Sequence, residues 1–259
     1  RMDLTAEAMG RGEILYAPEM GSTNTVLKEA AAARALPAGS LAVCNRQTRG
    51  KGRLNRAWDG GGESEMLPCS LLLRPALPPE KTPLLTLAAA VAAAAAIGDF
   101  GPAAGIKWPN DVVIEGRKCV GILCEALADP AGARCVVAGT GFNVNQKAFT
   151  GELADKATSL LLAGGRRVGR RALLCRYLAH MERVTALLKD GALDEFFTLY
   201  AARSVTLGHR VRVAGATENF TGTAERIDDT GALWVREDAG ALRRVLSGDV
   251  SVRGVMGYV

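Results

Sequence analysis

The sequence predicts an α+β protein that ends in a small all-β module. The chain is 259 residues long and 48% hydrophobic, enough for one large core and a lesser one. Up to about residue 204, short β-rich runs mix with segments of helical period. From Val205 the texture changes to period-two alternation between glycine turns. The boundary is therefore set near Ser204, dividing the chain into 1–204 and 205–259.

Each element follows from local pattern. Ile14 to Tyr16 reads as a strand, and a helix opens at Ser22, where Ser22 and Thr23 suit an N-cap. Strands are expected at 41–46 and 69–74, with a basic loop between them. Leu84 to Ile97 is apolar but for Thr86 and mostly alanine. It falls short of the about 20 residues that span a bilayer. With Thr82 as N-cap, Pro83 at N1 and Gly98 at C′, it reads as a buried core helix, and no membrane partner is expected. Strands follow at 104–108, 112–115 and 118–126, the last two joined by a Glu115-Gly116 reversal, then at 134–144. Helices are expected at 152–163, 170–189 and 192–202. The last module supplies strands at 209–213, 219–227, 232–236, 242–246 and 250–253.

Charge and cysteine content narrow the class. Thirty-two basic and 27 acidic residues leave a net charge of +5, which suits an anionic substrate without demanding nucleic acid. The six cysteines include no Cys-x-x-Cys pair, and several lie in apolar runs as buried free thiols do. The opening Met2 to Glu7 is polar and lacks the apolar stretch of a signal peptide. A reducing cytoplasm is the expected location.

Two segments carry chemistry. Between Arg46 and Arg56 stand five cations (Arg46, Arg49, Lys51, Arg53, Arg56) with no acid, interleaved with Gly50 and Gly52. Glycine lets a backbone approach a ligand, and Arg and Lys grip phosphate or carboxylate oxygens. By composition alone, a solvated basic loop or a weak nucleic-acid patch fits equally well. The second segment is Lys107-Trp108-Pro109-Asn110-Asp111, a turn followed by a β-branched run and a returning strand that brings Lys118 alongside. As structure this is two strands with tight turns. As chemistry, a lysine beside a carboxylate suits a magnesium–phosphate site, because Mg²⁺ shares its shell between carboxylate and substrate phosphates. No Ser/His or Cys/His constellation stands out, and His180 and His209 read as structural.

Together the motifs resemble the biotin protein ligase family. They are Ser22-Thr23-Asn24; Gly50-Lys51-Gly52-Arg53 with Arg56-Ala57-Trp58; Lys107 to Asp111; Arg117-Lys118-Cys119-Val120-Gly121-Ile122-Leu123; and Gly139-Thr140-Gly141-Phe142-Asn143. Five motifs in the family's order are specific where each alone is weak. The resemblance runs from about residue 14 to the end and is looser after residue 150. It implies a mixed, largely antiparallel sheet related to class II aminoacyl-tRNA synthetases, then an SH3-like barrel. It also implies the activity of a biotin–[acetyl-CoA-carboxylase] ligase. Biotin is activated with ATP, the co-substrate, and Mg²⁺ to biotinyl-5′-AMP, then transferred to a lysine of a biotin carboxyl carrier protein.

The resemblance assigns roles residue by residue. Ser22, Thr23, Asn24 and Gln47 would bind the ureido end of biotin. Gly50, Lys51, Gly52 and Arg53 would line the biotin–adenylate loop, and Gly121 and Gly139 would permit close approach by the ligand. Lys118 would meet the biotin carboxylate and α-phosphate. Arg56 and Lys107 would meet phosphates, Asn110 and Asn143 the nucleotide side, and Asp111 would ligate Mg²⁺. Lys107, Lys118 and Arg53 would be the catalytic cations. Trp58 is read as a packing anchor for the loop, and the loop as a lid that orders over ligand.

Two departures stand out. Lys51 replaces the usual first Arg of Gly-Arg-Gly-Arg and lacks its planar fork. Met66 stands where the family has Asn, and no role is assigned to it. The alternatives are a lipoate or octanoate ligase of the same superfamily, a repressor, and a non-catalytic nucleic-acid module. Only 21 residues precede Ser22, too few for a helix-turn-helix domain, so a short form without specific DNA binding is expected. Oligomeric state is not legible, and a homodimer is left open.

Overall fold

The computed structural model describes residues 12–55, 57–58, 65–215, 219–247 and 250–254. The larger part is a seven-stranded sheet of β1 (Ile14–Met20), β2 (Leu41–Gln47), β3 (Met66–Leu73), β4 (Gly105–Lys107), β5 (Asp111–Ile114), β6 (Arg117–Ala128) and β7 (Arg134–Asn143). Its order is β1-β2-β3-β7-β6-β5-β4. Only β1 with β2 is parallel; every other pair is antiparallel. The fold is thus mixed α+β with a largely antiparallel sheet.

Period-two alternation sends side chains to two faces. Ala42, Leu72, Cys135 and Val137 pack with Leu27 and Ala31 of α1 (Thr23–Ala33). Their neighbours Val43, Leu71, Val136 and Ala138 join the main core with α2 (Leu84–Gly98) and α4 (Arg170–Lys189). Helix α2 lies in the middle of that core, with twelve of its 15 residues buried. Pro79–Gly98 is long and apolar enough to cross a membrane, yet two thirds of its most apolar window is buried inside the fold. Its alanines let α4 approach closely. The expected caps differ: Pro83 takes the N-cap position and Gly98 is the last helical residue. Thr82 has helical backbone angles (φ −54°, ψ −36°), not the extended ones of a capping residue, and its hydroxyl accepts a hydrogen bond from Arg134.

The expected helix at 152–163 is a correction. A 3₁₀ turn (Gly151–Leu153) and the short α3 (Leu160–Gly164) stand there. Between them the chain is extended against β6: Lys118 N–H donates to the Lys156 carbonyl at 2.7 Å, and Thr158 N–H to the Lys118 carbonyl at 2.9 Å. Pairing with a sheet edge overrides local helical period here. Ser159 then caps α3 by accepting from Leu162 N–H. The Glu115-Gly116 reversal holds: both residues have positive φ (50° and 73°), as a tight hairpin demands.

After α5 (Leu193–Ala201) comes a separate five-stranded antiparallel sheet. It comprises β8 (Arg210–Gly215), β9 (Asn219–Ile227), β10 (Leu233–Glu237), β11 (Leu242–Val245) and β12 (Val250–Gly254), in the order β11-β10-β9-β8-β12. Its inward residues Val211, Val213, Ala224, Leu233 and Val235 join the main core. Trp108, 1% exposed, is the pin. Its indole N–H donates to the Gly231 carbonyl at 3.1 Å, and its backbone N–H donates to Thr206 Oγ1 at 3.0 Å.

Trp108→Ala therefore removes packing and a hydrogen bond at once. It should cost about 3–5 kcal/mol in urea unfolding, and protease cleavage between the two sheets should rise. Trp108→Phe keeps the ring and should cost about 1–2 kcal/mol. A Trp108→Ala midpoint equal to the parent's would show that the sheets are held elsewhere.

Candidate active site

A cleft lies where the N-terminus of α1 meets β6, β7 and the loop after β2. Its floor is built by absence. On β7, Gly139 and Gly141 face the same way, and Gly121 of β6 sits opposite Gly141. A Cβ at Gly139 would lie 2.0 Å from Asn24 Oδ1. One at Gly121 would lie 2.6 Å, and one at Gly141 2.5 Å, from the Trp58 indole. Asn24 and Trp58 thus rest on bare backbone. Gly121 and Gly139, expected to permit close approach by the ligand, also make room for these two side chains.

One end of the cleft is polar and uncharged. Ser22, Thr23 and Asn24 are buried there. Ser22 stands at the N-cap position, but its hydroxyl does not cap the helix. Thr23 N–H donates to Gln47 Oε1 at 2.7 Å, and Thr23 Oγ1 lies 3.1 Å from the same oxygen. Ser70 Oγ lies 2.7 Å from Thr23 Oγ1 and 2.6 Å from Asn24 Oδ1. Asn24 Nδ2 donates to the Leu123 carbonyl and to Glu125.

The other end is cationic, with Lys51, Arg53 and Lys118. The loop folds back as a narrow hairpin: Lys51 bridges Ala57, and Trp58 N–H donates to the Gly50 carbonyl at 3.0 Å. Gly50 closes this hairpin and does not line the cleft. Arg53 donates to Asn110 Oδ1 at 2.9 Å and to the Ser247 carbonyl from the smaller sheet. Asn110 is held from below through its donation to the Ile122 carbonyl. Lys118 Nζ sits 2.5 Å from Asp111 Oδ1 and 5.1 Å from the centre of the Trp58 ring.

Most of the expected residues come together: Ser22, Thr23, Asn24, Gln47, Lys51, Gly52, Arg53, Asn110, Lys118, Gly121 and Gly139 all line the cleft. Lys107 is buried at the turn beside it, backbone-paired with Asp111. Asn143 stands apart from the cleft. Its amide donates to the Thr158 carbonyl at 3.0 Å, and its oxygen accepts from Gln146 at 3.0 Å. It pins the extended 156–158 segment behind the site and does not line the cleft. Arg56 lies outside the described residues. The sequence reading missed Ser70, Pro68, Thr140 and Gly141, and it gave Trp58 no ligand-facing place. The small-residue alternation Gly139, Gly141 was the available signal. His180 meets Asp99, and His209 its own turn at the Leu207 carbonyl, both away from the cleft.

Among the described residues no group of three or more His, Cys, Asp or Glu is placed to hold a metal. Asp111 is a single hard carboxylate beside the cationic end. That donor set fits a Mg²⁺ that arrives with a nucleotide and keeps phosphate and water ligands. It does not fit a resident metal centre.

The sequence model of the biotin/lipoate A/B protein ligase family matches residues 16–143, and that of the biotin protein ligase C-terminal domain matches 206–253. The bifunctional ligase/repressor BirA of Bacillus subtilis is 36% identical over 97% of this chain and 77% of its own length. The biotin–[acetyl-CoA-carboxylase] ligase of Mycobacterium tuberculosis is 33% identical over 96% of this chain and 92% of its own. The solved biotin protein ligase of Aquifex aeolicus in complex with biotin and ATP superposes with a TM-score of 0.79. It is 28% identical and covers 93% of this chain and 99% of that one.

The glycine floor makes a direct prediction. Gly141→Ala should push the Trp58 indole out of place and lower the thermal midpoint. Trp58→Leu, being smaller, should absorb the methyl, so the double variant should lose less than the two single losses combined. Strict additivity of the thermal shifts would show that the indole does not rest on Gly141.

Proposed function

The chain belongs to the biotin protein ligase family, and from that premise we propose that it activates biotin with ATP as biotinyl-5′-AMP and transfers biotin to a carrier-protein lysine. The single observation that carries this is the graded cleft: a hydrogen-bonding uncharged end, an aromatic and glycine floor, and a cationic end. Biotin has the matching order of ureido, hydrocarbon and carboxylate. A lipoyl dithiolane offers no hydrogen bonds to Thr23, Asn24 or Gln47, and that argues against the superfamily alternative.

The chemistry needs no enzyme nucleophile. The biotin carboxylate oxygen attacks the α-phosphorus of ATP, the bond to the β-phosphate oxygen breaks, and pyrophosphate leaves. The amine of an acceptor lysine then attacks the acyl carbon of the mixed anhydride. AMP leaves with the bonding pair, and the amine loses a proton. Catalysis is positioning and charge neutralisation. Lys118 is the cation best placed for the carboxylate and α-phosphate, because it reaches the cleft between Trp58 and Asp111. In the absence of substrate, Asp111 balances its charge; a phosphate pairing with Lys118 would leave the Asp111 carboxylate available as a donor to Mg²⁺. Mg²⁺ held by Asp111 and the phosphates would neutralise developing negative charge. Arg53 ties the loop to Asn110 and Ser247, which supports a lid that shields the anhydride from water. Lys107 supports the turn and the phosphate end, and Arg56 is assigned to phosphates by resemblance alone.

The remaining assignments rest on the same premise. The largely antiparallel seven-stranded sheet with helices behind it supports a class II aminoacyl-tRNA synthetase-like domain at 1–204. The five antiparallel strands support an SH3-like barrel at 205–259. Six free cysteines support a reducing cytoplasm. The acceptor is a biotin carboxyl carrier protein.

Purified protein should release pyrophosphate from ATP with biotin and Mg²⁺ and much more slowly with lipoate; equal turnover on the two acids would refute the reading. Lys118→Ala should lower biotin adenylation about 10- to 100-fold, the loss of about 1.5–3 kcal/mol for a charge-assisted contact. Calorimetric ATP affinity should change less. Collapse of ATP affinity with normal adenylation at saturating ATP would reassign Lys118 to the nucleotide.

A further inference from the structure

Strand β3 carries a proline although it is third of seven, with β2 on one side and β7 on the other. Proline has no N–H to give a ladder, so within sheets it is confined to edges, strand starts and bulges. Leu72 N–H donates to the Ser40 carbonyl, and the Leu72 carbonyl accepts from Gly39 N–H, both at 2.8 Å. The backbone of Leu72 therefore faces β2, and by the strand's period of two so does that of Ser70, Pro68 and Met66. The pairing of Ala42 with Ser70 would place Cys44 opposite Pro68, but the ladder stops one residue short, at Val43 with Cys69. Strand β2 runs on to Gln47 paired with β1, while β3 stays paired with β7 down to Met66. The two strands part at Pro68. The split opens on the cleft, with Gln47 on one lip and Pro68 on the other.

Arg170, the first residue of α4, bridges this split. Its Nη1 donates to the Met66 carbonyl at 3.0 Å and its Nη2 to Asn45 Oδ1 at 2.9 Å. The Met66 carbonyl is a group that the missing ladder leaves facing β2, and a buried carbonyl needs a donor. One planar guanidinium thus joins two strands that no longer pair, and its rigid fork fixes their separation. Asn45 is held from the other side as well, its Nδ2 donating to the Tyr16 hydroxyl of β1 at 3.2 Å. Neither Arg170 nor Asn45 lines the cleft.

We propose that Arg170 is a positioning residue for biotin: through Asn45 it sets the distance between the Gln47 and Pro68 walls of the pocket. The proposal rests on the biotin reading. Gln47 lies two residues beyond Asn45 and accepts from Thr23 N–H at 2.7 Å. With no ladder partner on β3, the end of β2 is located by its pairing with β1 and by the Asn45 anchor. Lys118 stands on β6, separated from β3 by β7, and Asn110 is rooted in β6 through the Ile122 carbonyl. A change in the split therefore reaches the ureido end of the cleft and spares its cationic end.

Two variants break the link at different points. Arg170→Lys keeps the charge but loses the fork that holds both acceptors at once, and Asn45→Ala removes the anchor on β2 alone. Calorimetry with biotin and steady-state pyrophosphate release should show biotin Kd and KM raised about 10-fold in each. ATP KM and kcat at saturating biotin should stay near the parent's. The double variant should bind biotin no worse than the weaker single, because both changes cut one link. Asn45→Asp keeps an acceptor for Arg170 and should restore parent-like biotin affinity. A residue that merely braces the start of α4 would lower the thermal midpoint in Arg170→Lys and leave biotin affinity unchanged in Asn45→Ala. Parent-like biotin affinity in either single variant, losses that multiply in the double, Asn45→Asp as weak as Asn45→Ala, or ATP KM rising in step with biotin KM would overturn the proposal while leaving the ligase reading intact. Failure of the unaltered protein to bind biotin would overturn both.

Discussion

The site depends on a patch of sheet without side chains. Gly121, Gly139 and Gly141 are neighbours on one face of β6 and β7, and each is closed to any larger residue by a group already resting on it. A normal β-strand surface stands side chains into the space above the backbone. Here that space holds the carboxamide of Asn24 and the indole of Trp58, which in turn define the polar end and the wall of the cleft. Helix α1 can bring its N-terminal residues this close because the strands beneath carry nothing. The loop after β2 can lay an aromatic ring on the sheet for the same reason. Filling the patch would cost packing and would also remove the cleft, so stability and binding share one set of atoms.

Charge is arranged so that the cleft has opposite characters at its two ends without isolated buried ions. Glu125 and Asp111 each accept from a lysine, Lys28 and Lys118 respectively. The two pairs do different work. The Lys28–Glu125 pair stands behind the uncharged end and holds the Asn24 amide. The Lys118–Asp111 pair opens onto the cationic end and can exchange its partner for a ligand oxygen. Breaking a buried pair is costly when one charge is left alone. An arriving phosphate or carboxylate avoids that cost because it replaces one anion with another.

Much of this was legible in the sequence, and the rest fails for identifiable reasons. Strand positions were readable because alternation and glycine turns are local signals. So were the turn at Trp108 to Asp111 and the approach of Lys118, because a hairpin fixes register over a few residues. The segment 152–163 misled because its helical period is local, while the edge of β6 that captures residues 156–158 is distant in sequence. Asn143 is placed by contacts of a different kind. Its motif position marks it as functional, but whether an amide faces ligand or backbone is set by neighbours such as Gln146 and Thr158 that no local pattern reveals. Ser70 closes the Met66-Leu67-Pro68-Cys69-Ser70 motif but received no role, because its partners Thr23 and Asn24 come to it only through the fold.

The smaller sheet is joined to the site at two heights, and this makes the chain one cooperative object. Below, Trp108 inserts between the sheets and bonds Gly231, and it belongs to the same turn that holds Asn110 and Asp111. Above, Arg53 reaches from the loop to Asn110 and to the Ser247 carbonyl. Asn110 is therefore touched by the loop, rooted in β6 through Ile122 and two residues from the pin. A shift of the smaller sheet would move the turn and the anchor of the loop together. The place of the basic loop is then not set by its own residues alone: the turn and the second sheet together supply the groups that hold Arg53.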